Sequence, residues 1–150
     1  MKHFKFLLIN IVAFSLLFFL ISLLFPGQVV TSKTIAVNAI KEKVKEKVLD
    51  IQSWKDWTQF IKVNDVERQH WNTMDTMLFS VENNNHSNFT TQFIFYTQSP
   101  NSTLLNWALI EKLPWYKPWK KFSAMVSGKQ VAIVMDSALN NFKTQIEAVH

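Results

Sequence analysis

The chain has 150 residues, which is room for one domain, and 48% of them are hydrophobic. It contains no cysteine, which excludes a disulfide framework, thiolate chemistry and cysteine-based metal sites. Two of its 16 basic residues, Lys2 and Lys5, precede a long apolar run, so the remainder carries 14 basic against 11 acidic side chains. With this mild balance and a single arginine, Arg68, we expect no nucleic-acid partner, because nucleic-acid readers cluster arginine on one face.

Residues 6–25 form an uncharged apolar run that only one asparagine and two serines interrupt. About 20 apolar residues cross a bilayer as a helix. A cleaved signal peptide would have a shorter apolar core and a small-residue cleavage site, and this stretch offers neither. The sequence therefore predicts an N-terminal transmembrane anchor over residues 1–27, followed by a folded domain over residues 28–150.

The charges around the apolar run indicate an orientation. Lys2 and Lys5 favour a cytoplasmic N-terminus, with the domain on the outer (periplasmic or extracytoplasmic) side of a single-pass membrane protein. Lys33 and the lysines of residues 41–45 fall within the same counting window and favour the opposite orientation. Short N-terminal tails usually stay inside, and large domains translocate largely regardless of charge, so we expect the domain outside and in contact with the lipid bilayer.

A strand and a short helix are predicted directly after the anchor. Pro26 and Gly27 end the apolar helix, and residues 29–37 read as a strand with no flexible linker before it. The domain should therefore lie close to the membrane surface. Residues 41–50 read as a helix with a solvated Lys/Glu face. Its predicted apolar stripe consists of Ile40, Val44, Val48 and Ile51.

Two tryptophans three residues apart follow that helix, which places both indoles on one face of a helical turn. Here the chain resembles the SRPBCC or START-like superfamily, especially its polyketide cyclase/dehydrase and lipid-transport type. In that family a first strand leads into an "ap-x-x-x-V" helix and a "D-x-x-x-W-x-x-W" turn. The matching residues are Ala39, Val44, Asp50, Trp54 and Trp57, with Ile40 in place of the usual proline. Membrane-anchored versions with a leading apolar helix are typical of bacteria.

The middle of the chain reads as antiparallel strands joined by turns. Apolar and polar residues alternate over residues 76–82, 89–96 and 105–109, and a fourth strand is possible near residues 66–71. Turn-forming residues stand at 83–86 and 99–102. The family usually has about six strands between the tryptophan turn and the last helix, so the resemblance implies a smaller or more open sheet here.

Residues 119–149 carry the longest amphipathic pattern after the anchor. Apolar residues recur at three- and four-residue steps and polar residues fill the other side. The apolar positions are Phe122, Val126, Met135, Ala138, Leu139, Phe142, Ile146 and Val149. Gly128 weakens the middle by about 1 kcal/mol relative to alanine, so we expect a bend or break there. Residues 138–143 are similar to the "g-L-x-x-L-k" of the family's last helix.

The resemblance implies an α+β helix-grip fold, in which a curved antiparallel sheet packs on a long C-terminal helix. It also implies an apolar pocket for a lipid-like or other hydrophobic small molecule. The candidate pocket residues, taken from the apolar phase of their elements, are Phe93, Phe95, Leu105, Trp107, Leu109, Met135, Leu139 and Phe142. The alternative for all eight is a filled core, because small sheets are closed by their own side chains.

Aromatic residues and lysines alternate just before the last helix. The candidates for a membrane interface are Trp115, Tyr116, Lys117, Trp119, Lys120 and Lys121, since aromatic belts and basic segments lie at headgroups. In the alternative interpretation, which we favour at this point, Trp115 and Trp119 cap the core and Pro118 opens the helix. The lysines are then simply solvated.

No constellation typical of catalysis or metal binding stands out. The four histidines are scattered, and only His70 could join Asp65, Glu67 or Asp75, at a spacing that matches no metal site. We therefore expect no catalytic residues, no metal and no cofactor. The predicted function is a membrane-anchored, noncatalytic START-like domain that binds a hydrophobic molecule. Two alternatives are a solid interaction module of the envelope without a ligand, and an enzyme of the cyclase or dehydratase kind.

Overall fold

In the part of the chain that the structure describes, a five-stranded antiparallel sheet and a 30-residue C-terminal helix build the domain, and an apolar helix precedes it. The computed structural model describes residues 2–68, 75–82 and 89–148. The helices are α1 (Lys2–Leu23), α2 (Lys41–Leu49), α3 (Trp54–Trp57) and α4 (Pro118–Glu147). The strands are β1 (Gln28–Val37), β2 (Val66–Arg68), β3 (Thr76–Val81), β4 (Phe89–Ser99) and β5 (Ser102–Lys112). Short 3-10 turns at Ile51–Ser53 and Val63–Asp65 complete the connections.

The first helix has the length and composition of a membrane span. Within α1, Phe4–Leu23 is a 20-residue stretch with a mean hydropathy of 2.7, and nearly all of its side chains are exposed. Twenty residues at 1.5 Å each reach about 30 Å, the thickness of a bilayer's hydrocarbon core. By length and composition alone, α1 can cross a membrane.

The strands are ordered β1-β5-β4-β3-β2, and every neighbouring pair is antiparallel. The three strands predicted from alternation are confirmed, and the possible fourth is the short edge strand β2. The predicted turn at 99–102 joins β4 to β5, where Ser99 pairs with Ser102. The end of the fourth predicted strand, His70 and the predicted turn at 83–86 lie outside the described residues.

The tryptophan turn and α2 close one end of the sheet. Val44 and Val48 are fully buried, as predicted, and Trp54 and Trp57 are 0% and 1% exposed. Ile40 differs from the prediction, because it is 48% exposed. It lies at the N-cap position, one residue before α2 begins, so it falls outside the helical phase that buries Val44 and Val48. Ile51, after the end of α2, is half-buried.

The last helix runs without a break from Pro118, which occupies the first turn as predicted, to Glu147. Of the bend or break expected at Gly128, the break is therefore wrong. A glycine costs about 1 kcal/mol in a helix interior, and packing of both flanking segments outweighs that penalty. A Cβ at Gly128 would lie 3.8 Å from the Thr31 hydroxyl oxygen, so this residue marks the point where α4 passes close to β1.

α4 and β1 run side by side in the same direction, away from the end of α1. Three contacts show this. Gly128 of α4 faces Thr31 of β1. Further along, Lys33 Nζ lies 2.6 Å from Asp136 Oδ2. Beyond the end of β1, the backbone N–H of Asn38 donates to Glu147 Oε1 at 2.8 Å. The domain therefore has two halves. The anchor-side half, named after the anchor predicted at α1, is formed by the first half of α4 and the first residues of β1, and the rest is the distal half.

Candidate functional site

A cavity of about 550 Å³ occupies the anchor-side half, between the first half of α4 and the sheet. Ligand sites for small molecules typically measure about 300–1,000 Å³. The lining residues come from β1, the loop after α3, the start of β4, the end of β5 and α4. They are Val29, Thr31, Phe60, Phe89, Leu109, Glu111, Lys120, Ser123, Ala124, Ser127, Gly128, Gln130, Val131 and Val134.

Small side chains on α4 create much of this space. Ala124, Ser127 and Gly128 recur at steps of three and four residues, so they share the helix face that looks across to the sheet. Larger residues stand at the equivalent steps further along the helix, where Met135 and Leu139 are buried. The same helix therefore leaves a gap in its first half and fills the gap in its second half.

The sheet supplies a mostly apolar wall. Val29, Leu109 and Phe89 lie on adjacent strands, since β1 pairs with β5 and β5 pairs with β4. Two charged residues, Glu111 and Lys120, belong to the same lining, and both are half-buried. A cavity with an apolar wall and a few polar groups suits an amphiphilic or hydrophobic ligand.

Of the eight predicted pocket residues, Leu109 lines the cavity. The other seven lie in the distal half or beneath it and are nearly or fully buried: Phe93, Phe95, Leu105, Trp107, Met135, Leu139 and Phe142. The alternative interpretation, a filled core, describes these seven positions. Sequence reasoning selected large apolar residues, whereas the cavity forms where they are missing. The small residues Ser123, Ala124, Ser127 and Gly128, at helical spacing, are the signal that could have located it.

Stacked and edge-on aromatic rings fill the distal half. Phe93 and Trp107 stack with ring centroids 5.5 Å apart, and Trp57 packs edge-on against both Trp107 and Phe142, at 5.5 and 5.1 Å. Trp54 Nε1 donates to the Val48 carbonyl at 2.9 Å. Rings in these geometries gain about 0.5–1.5 kcal/mol per pair beyond their buried area. Their side chains fill the space that a ligand would need.

The segment predicted as a membrane-interface candidate contains both exposed and buried residues. Trp115, Tyr116 and Trp119 are 65%, 55% and 61% exposed, so the tryptophans do not cap the core as the favoured interpretation expected. Trp115 instead meets the Phe19 ring of α1 edge-on. Lys117 and Lys120 are half-buried beside them.

Lys121 is 4% exposed, in contrast to the solvated lysine of that interpretation. Its ammonium group donates to the Ser22 carbonyl at 2.9 Å and to the Phe25 carbonyl at 3.3 Å. The last carbonyls of a helix lack partners within the helix, and a cation near them complements the helix dipole. Lys121 therefore caps the C-terminus of α1 from α4.

Aromatic contacts reinforce this junction between α1 and α4. The Phe122 ring stacks on Phe18 at 5.1 Å and meets Phe25 edge-on at 4.9 Å, and Trp115 meets Phe19 at 6.2 Å. Phe122 is consequently only half-buried and packs on α1 rather than in the core. Val126, also predicted on the buried face, is 78% exposed, so the prediction is wrong at this position.

One ionic cluster lies away from the cavity, where Asp75 accepts hydrogen bonds from Lys41 and Lys45 at 2.8 and 3.2 Å. These two lysines, rather than burial, hold the pKa of the Asp75 carboxyl below its ordinary value. The Lys/Glu face of α2 is thus not purely solvated, since part of it anchors the residue before β3. Among the described residues no group of three or more histidine, aspartate or glutamate side chains could hold a metal ion.

Comparison with known proteins places this geometry in a structural class. No protein-family model matches the sequence, and no curated protein matches it by sequence. An uncharacterised protein from Bacillus thuringiensis aligns at 12% identity over 79% of this chain and 98% of its own, with a TM-score of 0.58. The di-domain aromatase/cyclase StfQ of the steffimycin biosynthetic pathway aligns at 10% identity, over 81% of this chain and 52% of its own, with a TM-score of 0.56. A START superfamily protein from Mycobacterium smegmatis aligns at 16% identity over 72% and 96% of the two chains, with a TM-score of 0.46.

The described chain has the START-like helix-grip fold. An open antiparallel sheet holds a long C-terminal helix, and the helical insertion with the two tryptophans lies between β1 and β2. Both parts of the sequence that carried the resemblance, the tryptophan turn and the last helix, occupy the places that the fold gives them. At these identities the likeness defines the fold, and function has to be argued from the cavity.

Proposed function

We propose that this protein is a membrane-anchored, noncatalytic START-like domain that binds a lipid-like or other hydrophobic small molecule. The observation that carries the proposal is the cavity of about 550 Å³ between the small-residue face of α4 and the apolar wall of the sheet. Its volume falls in the range of small-molecule sites, and its few polar groups suit a ligand with a small polar end.

The position of the cavity supports a hydrophobic ligand over a water-soluble one. Val29 and Thr31, which line the cavity, follow the end of α1 within a few residues, so the site lies next to the proposed anchor. A ligand that prefers a membrane to water would be concentrated at this location. Glu111 and Lys120 would contact the polar part of such a molecule.

The proposed function is noncatalytic. Two titratable side chains of the lining, Glu111 and Lys120, are half-buried. Their proposed role is contact with the polar part of the ligand. A noncatalytic role predicts that a bound molecule is recovered with its mass unchanged after prolonged incubation, and a stoichiometric change of mass would contradict it.

The binding test uses the full-length chain in lipid nanodiscs and compares two serine-to-phenylalanine variants on the same helix. Ser127→Phe places a ring at the cavity wall, whereas Ser137→Phe places it at an exposed position ten residues further on. Native mass spectrometry of the released protein should show a hydrophobic adduct on the parent chain and on Ser137→Phe. Ser127→Phe should lose it.

Two results would overturn the binding function. One is a parent chain that carries no adduct from any lipid mixture, which would favour a solid interaction module. The other is equal adduct occupancy in both variants, which would place the bound molecule elsewhere. Circular dichroism of the two variants verifies that the helix content is the same.

The proposed topology has the N-terminus in the cytoplasm and the domain on the outer side. It is supported by α1, which is long and apolar enough to span a membrane, and by Lys2 and Lys5 before it. The chain has no cysteine, so a Ser137→Cys variant carries a single thiol at an exposed position. A membrane-impermeant maleimide should label it in intact cells. Labelling only after lysis would reverse the orientation.

A further inference from the structure

The junction between α1 and α4 fixes where the membrane surface meets the domain. Phe18 and Phe19 lie four to five residues before the end of α1, which is about 6–8 Å along the helix axis. Phe122 and Trp115 contact these two rings. If α1 crosses the bilayer, the loop before α4 and the first turn of α4 lie at the depth of the anchor's last turns.

The exposed residues of this region have the composition of a membrane interface. Trp115, Tyr116 and Trp119 each expose more than half of their surface, and Val126 exposes 78%. Lys117 Nζ lies 5.4 Å from the centroid of the Tyr116 ring. Indole and phenol rings with adjacent lysines are enriched at the level of the headgroups, and amphipathic segments there bury their apolar face by about 5–10 Å.

We infer that Trp115, Tyr116, Trp119 and Val126 form a docking surface for the bilayer that holds α1, and that this surface is immersed in its headgroup layer. The occupant is the lipid of that same membrane, because the surface is continuous with the anchor through the ring contacts and the Lys121 hydrogen bonds. This inference rests on the membrane anchoring in the proposed function, and it is independent of whether the cavity binds a ligand.

Immersion also explains why α4 exposes apolar residues in its first half. Trp119 and Ser137 are 18 residues apart, which is five full turns, so they lie on the same face of the helix. Along this face the exposed apolar residues Trp119, Val126 and Ile133 come first, with polar Ser123 and Gln130 between them. From Ser137 to the end of α4, the exposed residues of the face are polar. A helix face that changes from aromatic to polar with distance from the anchor matches a boundary between lipid and water.

The test places a nitroxide label at single cysteines of the full-length chain in nanodiscs. The sites are Trp119→Cys on the docking surface, Ser137→Cys on the same face in the distal half, and Val12→Cys in the middle of α1. Accessibility to oxygen, which concentrates in lipid, is compared with accessibility to a water-soluble nickel chelate. The expected result is a high oxygen-to-nickel ratio at Val12→Cys, an intermediate ratio at Trp119→Cys and a low ratio at Ser137→Cys.

The three labels separate the two proposals. A ratio at Trp119→Cys equal to that at Ser137→Cys, with Val12→Cys still in lipid, would overturn the docking surface and leave the anchor intact. A low ratio at Val12→Cys would overturn the anchoring and the docking surface together. Trp119→Cys removes a ring of the docking surface itself, so a second label at Val126→Cys tests the same surface with Trp119 in place. The docking surface requires an intermediate oxygen-to-nickel ratio at both sites.

Discussion

The two halves of α4 pack against the same sheet with opposite results. In the distal half Met135, Leu139 and Phe142 fill the space beneath the helix, and stacked rings leave no room for a ligand. In the anchor-side half alanine, serine and glycine face the sheet, and a cavity of about 550 Å³ remains. The packed distal half therefore provides stability, while the anchor-side half leaves apolar surface unpacked.

The same division appears on the outer surface of the helix. The distal half presents Asp136, Ser137, Asn140 and Asn141 to solvent, whereas the anchor-side half presents the apolar residues Trp119, Met125 and Val126. Exposed apolar residues that are clustered beside an apolar helix indicate a surface with a partner. Stability and proposed function thus occupy different stretches of one continuous helix.

The largest expected effect is a truncation in the distal half. Leu139 is 1% exposed, and Leu139→Ala should lower the free energy of unfolding by about 2–5 kcal/mol through lost contacts and a residual void. Val131→Ala in the cavity wall should cost distinctly less, because this side chain already borders empty space. Denaturant unfolding of the full chain in nanodiscs, followed by tryptophan fluorescence, measures both. Equal losses would contradict the division of the helix into packed and open halves.

Loss of the lysine cap at the junction should have a smaller effect. Lys121→Met keeps the length of the buried side chain but removes the donor to the Ser22 and Phe25 carbonyls. Leaving such buried groups unpaired costs about 1–3 kcal/mol. Lys129→Met, at an exposed position of the same helix, serves as the control. Thermal unfolding midpoints in nanodiscs that fall equally for both variants would show that the junction adds no stability.

Gly128→Ala should raise stability by up to about 1 kcal/mol, because alanine is the better helix former. Its methyl group would lie 3.8 Å from the Thr31 hydroxyl oxygen, an ordinary contact. Gly27→Ala, with nothing within 4 Å and outside any helix, is the control for the general effect of replacing glycine. A loss of stability in Gly128→Ala alone would mean that α4 needs closer contact with β1 than the structure shows.

The smallest effect concerns Asp75, which belongs to neither half of α4. Lys41 and Lys45 lower the pKa of its carboxyl in the folded chain from the ordinary value of 3.8. The ionised carboxylate therefore stabilises the fold above pH 3.8, and this contribution is lost as the pH falls through the lowered pKa. Asp75→Asn should be less stable than the parent at neutral pH, and the difference should vanish in acid. Unfolding curves at several pH values test this, and a constant difference would refute the assignment.

Much of the fold could be predicted because it depends on local patterns. The alternation in β3, β4 and β5, the apolar stripe of α2 and the paired indoles each reflect a periodicity that one face of the element buries. The resemblance at Trp54, Trp57 and residues 138–143 then ordered these elements into a helix-grip fold. The prediction for Ile40 is wrong because it extends the apolar stripe of α2 to the N-cap residue, where the backbone is no longer helical.

The cavity could not be predicted in the same way, because periodicity identifies the residues that are buried and not the space that they leave. In the sequence, Ala124, Ser127 and Gly128 indicate only a stretch of α4 with small side chains. Whether such a stretch leaves a cavity depends on its distance from Thr31 and Leu109, which are remote in the sequence. Lys121 looked solvated for a similar reason. Its partners are the carbonyls of Ser22 and Phe25 at the end of α1, about a hundred residues earlier in the chain. A periodic pattern within α4 cannot identify partners so distant in the sequence.

The ring contacts and hydrogen bonds between α1 and α4 also restrict where residues can be inserted into α1 or deleted from it. One residue inserted between Phe18 and Leu23 would turn the preceding part of α1 by 100° and shift it by 1.5 Å, which would separate Phe18 and Phe19 from α4. Changes of length before Phe18 leave this phase untouched. If α1 spans a membrane as proposed, adaptation to a thicker or thinner bilayer is expected at its N-terminal end, and an unrelated transmembrane helix should replace it only if it preserves the angular position of these rings.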